Sequence, residues 1–319
     1  MNEFQIVNKY LKPLSHKHSE ALKLNDDIYY DSKKNIAISV DTYVEGVHFV
    51  DSLNPNKFLK KILRSSLSDL YCKGIKPKSY FLSLALNKKF INPSWLYQVN
   101  KILKSEQKKF GIFLGGGDTT SSSKLVITII VLGNTKNKPV LRSKSSINDD
   151  IYVTGNIGDS FLGLNVIKKK FDFGKFNSFL KKKYYEPELQ TTFSPHLTEI
   201  ASASIDISDG LAQDLRHLCI NSNCGALVDL NLLPLSQVCK KIIAKDKTKI
   251  KNIFSNGDDY QILFTSNIKN RAKIHTLSKK LNSKITRIGI IKKKKSIIFK
   301  HNMKEFKISR AKAGYTHTF

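Results

Sequence analysis

A chain of 319 residues has room for two ordinary domains, and 40% apolar residues with 18 Phe and 12 Tyr make it globular, not disordered. Four cysteines (Cys72, Cys219, Cys224, Cys239) without a CxxC pair exclude a disulfide scaffold and argue against zinc. The balance of 54 basic against 26 acidic residues, net +28, raises nucleic-acid binding. The basic runs Lys168 to Lys170, Lys181 to Lys183 and Lys292 to Lys295 lack the interleaved Arg and aromatics that read bases. A lysine-rich solvated surface, with no nucleic-acid partner, is therefore expected. No stretch reaches the ~20 apolar residues of a membrane span. Met1-Asn2-Glu3-Phe4-Gln5 carries no basic and apolar leader, so a cytoplasmic protein is expected.

In chain order, Asn25-Asp26-Asp27 precedes a short strand, and the alternation from Asn35 to Val40 predicts another strand that delivers Asp41 at its end. Residues 56–71 read as a helix with Phe58, Ile62, Ser65 and Asp69 on one face, so Asp69 continues an apolar stripe and needs a partner. A second helix is expected from Ser94 to Phe110, with Gly111 as a left-handed cap. A short strand runs into Gly115-Gly116-Gly117-Asp118-Thr119-Thr120, followed by a strand from Leu125 to Leu132 and then Leu141-Arg142. The second half opens with Ile151 to Thr154, a turn at Gly155, and a helix from Gly158-Asp159-Ser160. The lysine-rich stretch 168–183 reads as an exposed, irregular connection. Ser204 to Ile207 reads as a strand giving way to a helix at Ser208-Asp209-Gly210-Leu211, with Asp209 as its cap. Gly257-Asp258-Asp259-Tyr260 enters a strand from Gln261 to Thr265, and Lys292 to Lys295 is expected to close a hairpin between Ile285–Ile291 and Ser296–Phe299. Strands alternating with helices imply α/β (α+β) layers, one sheet flanked by helices in each half.

Of the acids, 18 are Asp and 8 are Glu. Asp favours caps, turns and tight metal sites, and most of these stand where an apolar run meets a turn. Asp27, Asp41, Asp69, Asp118, Asp206 and Asp209 are candidates for one hard-cation site, because clustered carboxylates repel unless divalent ions neutralise them. Several magnesium ions on a polyphosphate are what phosphoryl transfer needs. The glycine run at Gly115 lacks the Lys-Ser/Thr of a Walker loop, and GxGxxG, HRD, DFG and GxSxG are absent.

Asn25-Asp26-Asp27, Ser39-Val40-Asp41 through Glu45-Gly46-Val47-His48-Phe49, Leu67-Ser68-Asp69-Leu70, Gly116-Gly117-Asp118-Thr119-Thr120, Leu141-Arg142-Ser143, Ile205-Asp206-Ile207-Ser208-Asp209-Gly210-Leu211 and Gly257-Asp258-Asp259-Tyr260 resemble, in order, the motifs of thiamine-monophosphate kinases. That family belongs to the aminoimidazole ribonucleotide synthetase-like ATP-binding superfamily. The resemblance implies two domains, set here at 1–145 and 146–319, a homodimer formed through the first, and phosphorylation of thiamine monophosphate by ATP and magnesium. By matched position, Asp27, Ser39, Asp41, Asp69, Asp118, Asp206 and Asp209 would hold magnesium. Gly117, Asp118, Arg142 and Ser208 would meet ATP, and His48, Asp258 and Tyr315 the acceptor. Departures from the family pattern are Asn25 for a Gly, accepted because Asn enters left-handed backbone readily, Val40 for a Thr, Asp258 for a Glu, and Lys312 for an aromatic. Another ATP-dependent enzyme of the superfamily, or a basic nucleic-acid-binding module, is the rival reading. The first Cys is Cys72, inside a helix, where a selenophosphate synthetase carries one near its N-terminus, and the chain ends in Phe319 where the hydrogenase-maturation protein ends in Cys.

Overall fold

The computed structural model of the chain describes residues 2–246, 249–302, 304–306, 308 and 314–315. A short helix, α1 (Glu3–Ile6), opens it, with the Asn2 side chain accepting from the Gln5 N–H. The first sheet holds β1 (Tyr29–Asp31), β2 (Ile36–Val44), β3 (Pro77–Leu86), β4 (Phe113–Ser121) and β5 (Val126–Asn134), in the order β1-β2-β5-β3-β4. All neighbours are antiparallel except β3 and β4. Helices α2 (Leu59–Tyr71) and α3 (Pro93–Phe110) cover one face, α3 being the crossover that a parallel pair requires. Local chemistry sets the ends of α3: Asn92 accepts from the Trp95 N–H, and Gly111, at φ 66°, closes it in left-handed backbone. In β2 the residues Ala37, Ser39 and Tyr43 point into the core, whereas Val40 is exposed on the other face. Phe113 and Leu114 are exposed along the β4 edge.

Phe58, Ile62 and Ser65 are buried as the spacing predicts, yet α2 is buried nearly all round, Lys61 and Arg64 included. The reason is its position between the first sheet and elements of the second half. The Arg64 guanidinium is held by both Glu106 oxygens, at 2.7 and 2.8 Å, and by the Pro187 carbonyl. At its far end, the Tyr71 and Cys72 carbonyls accept from Ser194 and Ser204. Asn25 is not left-handed, at φ −113°; the positive φ values fall on Leu22, Lys23 and Leu24.

The second sheet comprises β6 (Asp150–Thr154), β7 (Ala203–Asp206), β8 (Gly225–Asp229), β9 (Ile262–Ser266), β10 (Ile285–Lys292), β11 (Ile297–His301) and β12 (Lys304–Phe306), ordered β12-β11-β8-β10-β6-β9-β7. Around it lie α4 (Asp159–Ile167), α5 (Asn177–Tyr185), α6 (Leu197–Ile200), α7 (Leu211–Asn221), α8 (Gln237–Lys245), α9 (Lys249–Phe254) and α10 (Arg271–Lys280). Two expectations fail here. The Lys292–Lys295 loop closes no hairpin, because β8 inserts between β10 and β11, antiparallel to one and parallel to the other. Gly225 admits this: a Cβ there would lie 1.9 Å from the Lys294 carbonyl oxygen. The stretch 168–183 is not all irregular, since α5 occupies its end and packs Leu180 and Tyr184 inward. Those two stand one helical turn apart, and the intervening lysines form the outer face.

Candidate functional site

Two sheets and the helix between them bring the acids together. Asp26 and Asp27 precede β1. Ser39 and Asp41, two apart on β2, share the inner face, as the pleat requires. Asp69 descends from α2, and Asp206 ends β7. Oxygens of Asp27, Asp69 and Asp206 lie within 4.8 Å of one another. The Ser39 hydroxyl donates to Asp69, the Tyr43 hydroxyl donates to Asp41 at 3.1 Å, and the Ser208 hydroxyl to Asp206 at 3.4 Å. Asp209 follows in the same turn but is not the cap of α7: Gly210 holds that position, its N–H donating to Asp214. The reason is backbone shape, since Gly210 sits at φ 125°.

Charge in this cluster is unevenly shared. Burial raises the Asp69 carboxyl well above the usual range, and Asp41, Asp206 and Asp27 add to the rise. Burial, then Asp27, pushes Asp206 up to about 7. Asp209 is pushed up to about 7 by burial, Glu3 and Asp206. Asp27 goes the other way. Burial would raise it, but Arg142 and Lys73 outweigh that and hold it well below the carboxylate range. The Arg142 guanidinium grips both Asp27 oxygens, with Nε at 3.1 Å, and its backbone N–H donates to Asp26 at 2.8 Å.

Asp118 is not in this cluster. Cross-strand partners run from Asp41 to Ile129, Ile129 to Leu82, and Leu82 to Gly117. Three strand spacings, roughly 14 Å, therefore separate the β2 position from Gly117 and Asp118 within one chain. Both lie exposed on the β4 edge, where Asp118 accepts from the Thr119 N–H.

The expected acceptor residues form a second group. His48 accepts at Nδ1 from the Val44 N–H and meets the Tyr43 ring edge-on. Asp258, at φ 67°, pairs with the buried Lys61 at 2.7 Å and accepts from the Tyr260 hydroxyl. Lys61 lies 4.0 Å above the Tyr184 ring centroid, and the Tyr184 hydroxyl donates to the His48 carbonyl. Tyr315 is 52% exposed, and its N–H donates to the Asp209 carbonyl, which places Tyr315 against the Asp206–Asp209 turn. Lys312 lies outside the described residues.

Sequence reasoning missed Lys61, Tyr184 and Lys73. Among 54 basic residues two buried lysines carry no mark of their own, although each lies in or just beyond a helix whose neighbouring positions are apolar. Among the described residues no helix is long and apolar enough to cross a membrane, and all four cysteines are buried free thiols.

Residues 24–135 match the family described as AIR synthase related protein, N-terminal domain. The thiamine-monophosphate kinase of Buchnera aphidicola subsp. Schizaphis graminum is 35% identical over 324 residues, covering 99% of this chain and 98% of the relative. That of Haemophilus influenzae is 34% identical, covering 92% and 90%. In fold, the chain superposes on AaThiL complexed with AMPPCP and TMP at a TM-score of 0.85, with 25% identity and 99% and 97% coverage. The Aquifex aeolicus thiamine monophosphate kinase gives 0.82 at 26% identity, covering 96% and 98%. Hydrogenase maturation protein HypE in complex with ATP shares the fold at 0.66 and 15% identity. Identity over almost the whole length, with the acidic cluster folded into one place, means that this chain belongs to the thiamine-monophosphate kinase family.

Proposed function

We propose that the protein phosphorylates thiamine monophosphate with ATP, giving thiamine diphosphate and ADP by direct in-line transfer. The observation that carries this reading is the oxygen cluster of Asp27, Asp69 and Asp206 in a chain alike throughout to thiamine-monophosphate kinases. An all-oxygen donor set whose members raise one another's pKa fits magnesium. Asp27, Ser39, Asp41, Asp69, Asp206 and Asp209 would hold it. Bound there, magnesium would supply neutralisation of the polyphosphate charge.

The chain's own groups do the rest. Arg142, Ser208 and Gly117 are read as contacts to ATP. An oxygen of the acceptor phosphate attacks the γ-phosphorus while its bond to the bridging oxygen of ADP breaks. That oxygen is already largely ionised near neutral pH, so no strong base is needed. His48, Asp258 and Tyr315 are read as the acceptor pocket. The ion pair changes how Asp258 acts: it presents a carboxylate toward the cationic thiazolium while Lys61 presents an ammonium toward phosphate.

The apolar face around Val40 and the exposed β4 edge support a homodimer, in which Gly117 and Asp118 of one chain would serve the site of the other. We set the domain border near 145, in the connection between β5 and β6. ATP chemistry and four free thiols support a cytoplasmic place, and the +28 charge is read as solvated surface with no nucleic-acid partner. The test is incubation with ATP, magnesium and thiamine monophosphate, followed by chromatography. Thiamine diphosphate should form and should vanish in Asp41→Asn; turnover of ATP with no thiamine diphosphate would overturn the substrate.

A further inference from the structure

The Lys73 side chain has no exposed surface, yet it carries an ammonium group into the acidic cluster. Its Nζ lies 2.6 Å from an Asp27 oxygen, 3.0 Å from an Asp26 oxygen and 2.8 Å from the Ser204 carbonyl. Three acceptors take its three protons, which is the condition for keeping a lysine charged out of water. Lys73 stands two residues beyond α2 and four after Asp69, so the end of the helix that supplies a carboxylate also positions a cation. The rest of the cluster is furnished differently. Asp69 receives a hydroxyl from Ser39, Asp41 from Tyr43 and Asp206 from Ser208. Fixed positive charge is gathered at the Asp26–Asp27 corner, where Lys73 and Arg142 together engage both oxygens of Asp27.

An oxygen that already accepts from an ammonium at 2.6 Å has one lone pair fewer for a metal, and a second cation there meets repulsion. Arg142 and Lys73 differ in access: the Arg142 side chain is 22% exposed, whereas Lys73 is enclosed. We propose that Lys73 is a built-in cation of the metal site, standing at the Asp26–Asp27 corner in place of a divalent ion, so that metal loading falls on Asp41, Asp69, Asp206 and Asp209. This rests on the reading of the aspartates as a divalent-cation site and narrows that reading by taking Asp27, paired with Lys73, out of the direct ligands.

The test is Mn2+ titration of the full chain with a saturating non-hydrolysable ATP analogue, free Mn2+ being read by its electron paramagnetic resonance signal. Wild type, Lys73→Met, Lys73→Gln and Lys73→Arg are compared, with Asp69→Asn as the control for the site. Lys73→Met and Lys73→Gln should each bind about one Mn2+ per chain more than wild type, because the vacated carboxylates need a counter-ion. Lys73→Arg, which keeps the charge, should show the wild-type count. Melting temperature is the second readout: Mn2+ should raise it more in Lys73→Met than in wild type. A Lys73→Met protein that folds only with Mn2+ supports the inference. Equal counts and affinities in wild type and Lys73→Met overturn it, as does failure of both neutral variants to fold with Mn2+ present, which makes Lys73 a structural clamp. Wild type that binds no Mn2+ beyond the nucleotide's own, unchanged by Asp69→Asn, overturns the site itself and so the reading beneath.

Discussion

Asp69→Asn should make the metal-free protein more stable and nearly inactive at once. Asp69 is packed into α2 and faces Asp27 and Asp206 with oxygens no farther than 4.8 Å apart. At an effective dielectric of ~20, two unit charges at that separation repel by roughly 3–4 kcal/mol. The Asp27 charge is already offset by Lys73 and Arg142, which leaves Asp206 as the main opponent. The full repulsion is a ceiling, because Asp206, with its pKa pushed up to about 7, and Asp69, raised well above the usual range, both take up protons in the metal-free protein. The asparagine, neutral in both the folded and unfolded states, escapes what remains, about 2 kcal/mol. The asparagine keeps an oxygen for the Ser39 hydroxyl, so no buried donor is orphaned. In EDTA at pH 7 the melting temperature should rise by about 3 °C, at ~1.5 °C per kcal/mol for a chain of 319 residues. In saturating magnesium the order should reverse, because wild type gains stability from metal binding that the variant lacks. Turnover should fall at least ~100-fold. Differential scanning calorimetry with and without magnesium reads the first part, a coupled ADP assay the second. A variant less stable than wild type in EDTA, or one that keeps the full magnesium response, would refute the repulsion argument.

Asp41→Asn and Asp118→Asn should each cost at least ~100-fold in turnover with the fold intact. If Asp118 serves the partner's site, mixing Asp118→Asn with Asp69→Asn and allowing chains to exchange should restore about a quarter of wild-type activity, since half the dimers then hold one intact site of two; no recovery after proven exchange refutes service in trans. His48→Ala and Asp258→Ala should raise the acceptor KM about 5- to 100-fold with little change for ATP, and Asp258→Glu should be tolerated. An effect of Asp258→Ala on ATP alone would assign the pocket backwards. Because folding raises Asp206 and Asp209 to about 7, their contribution to metal-free stability is largest below the ordinary carboxylate range and is lost as pH rises through about 7. The melting temperature in EDTA should therefore fall between pH 5 and 8. Magnesium binding near pH 6.5 should release protons, measurable by calorimetry in buffers of different ionisation heat. Flat profiles in both would contradict the shared charge.

What the sequence made legible was local. The Gly111 stop and the strand alternation from Asn35 to Val40 depend on neighbours within a few residues, and each is where its pattern puts it. The strand nevertheless runs on past Asp41 to Val44, and the helix before Gly111 starts at Pro93, capped by an Asn92 that the pattern does not single out. The acids could be gathered into one cluster because their motifs sit at element ends, where chains converge. Asp118 could not be placed from spacing, since its distance from Asp41 is set by strand order and not by sequence. The missed hairpin has the same origin: β8, more than 50 residues earlier, takes the place between β10 and β11. Lys61 and Lys73 were hidden by composition. A buried lysine is made by its partners, Asp258 for one and Asp26 with Asp27 for the other, and those partners come from distant parts of the chain.

The central claim is direct transfer from ATP to a phosphate of the acceptor. The most direct measurement is incubation with ATP labelled at the γ-phosphorus, with thiamine monophosphate and magnesium, resolving the products and the protein separately. The account predicts label in the terminal phosphate of thiamine diphosphate and none on the protein, with or without acceptor. Label trapped on the protein, or released only as inorganic phosphate while thiamine monophosphate stays unchanged, would contradict it.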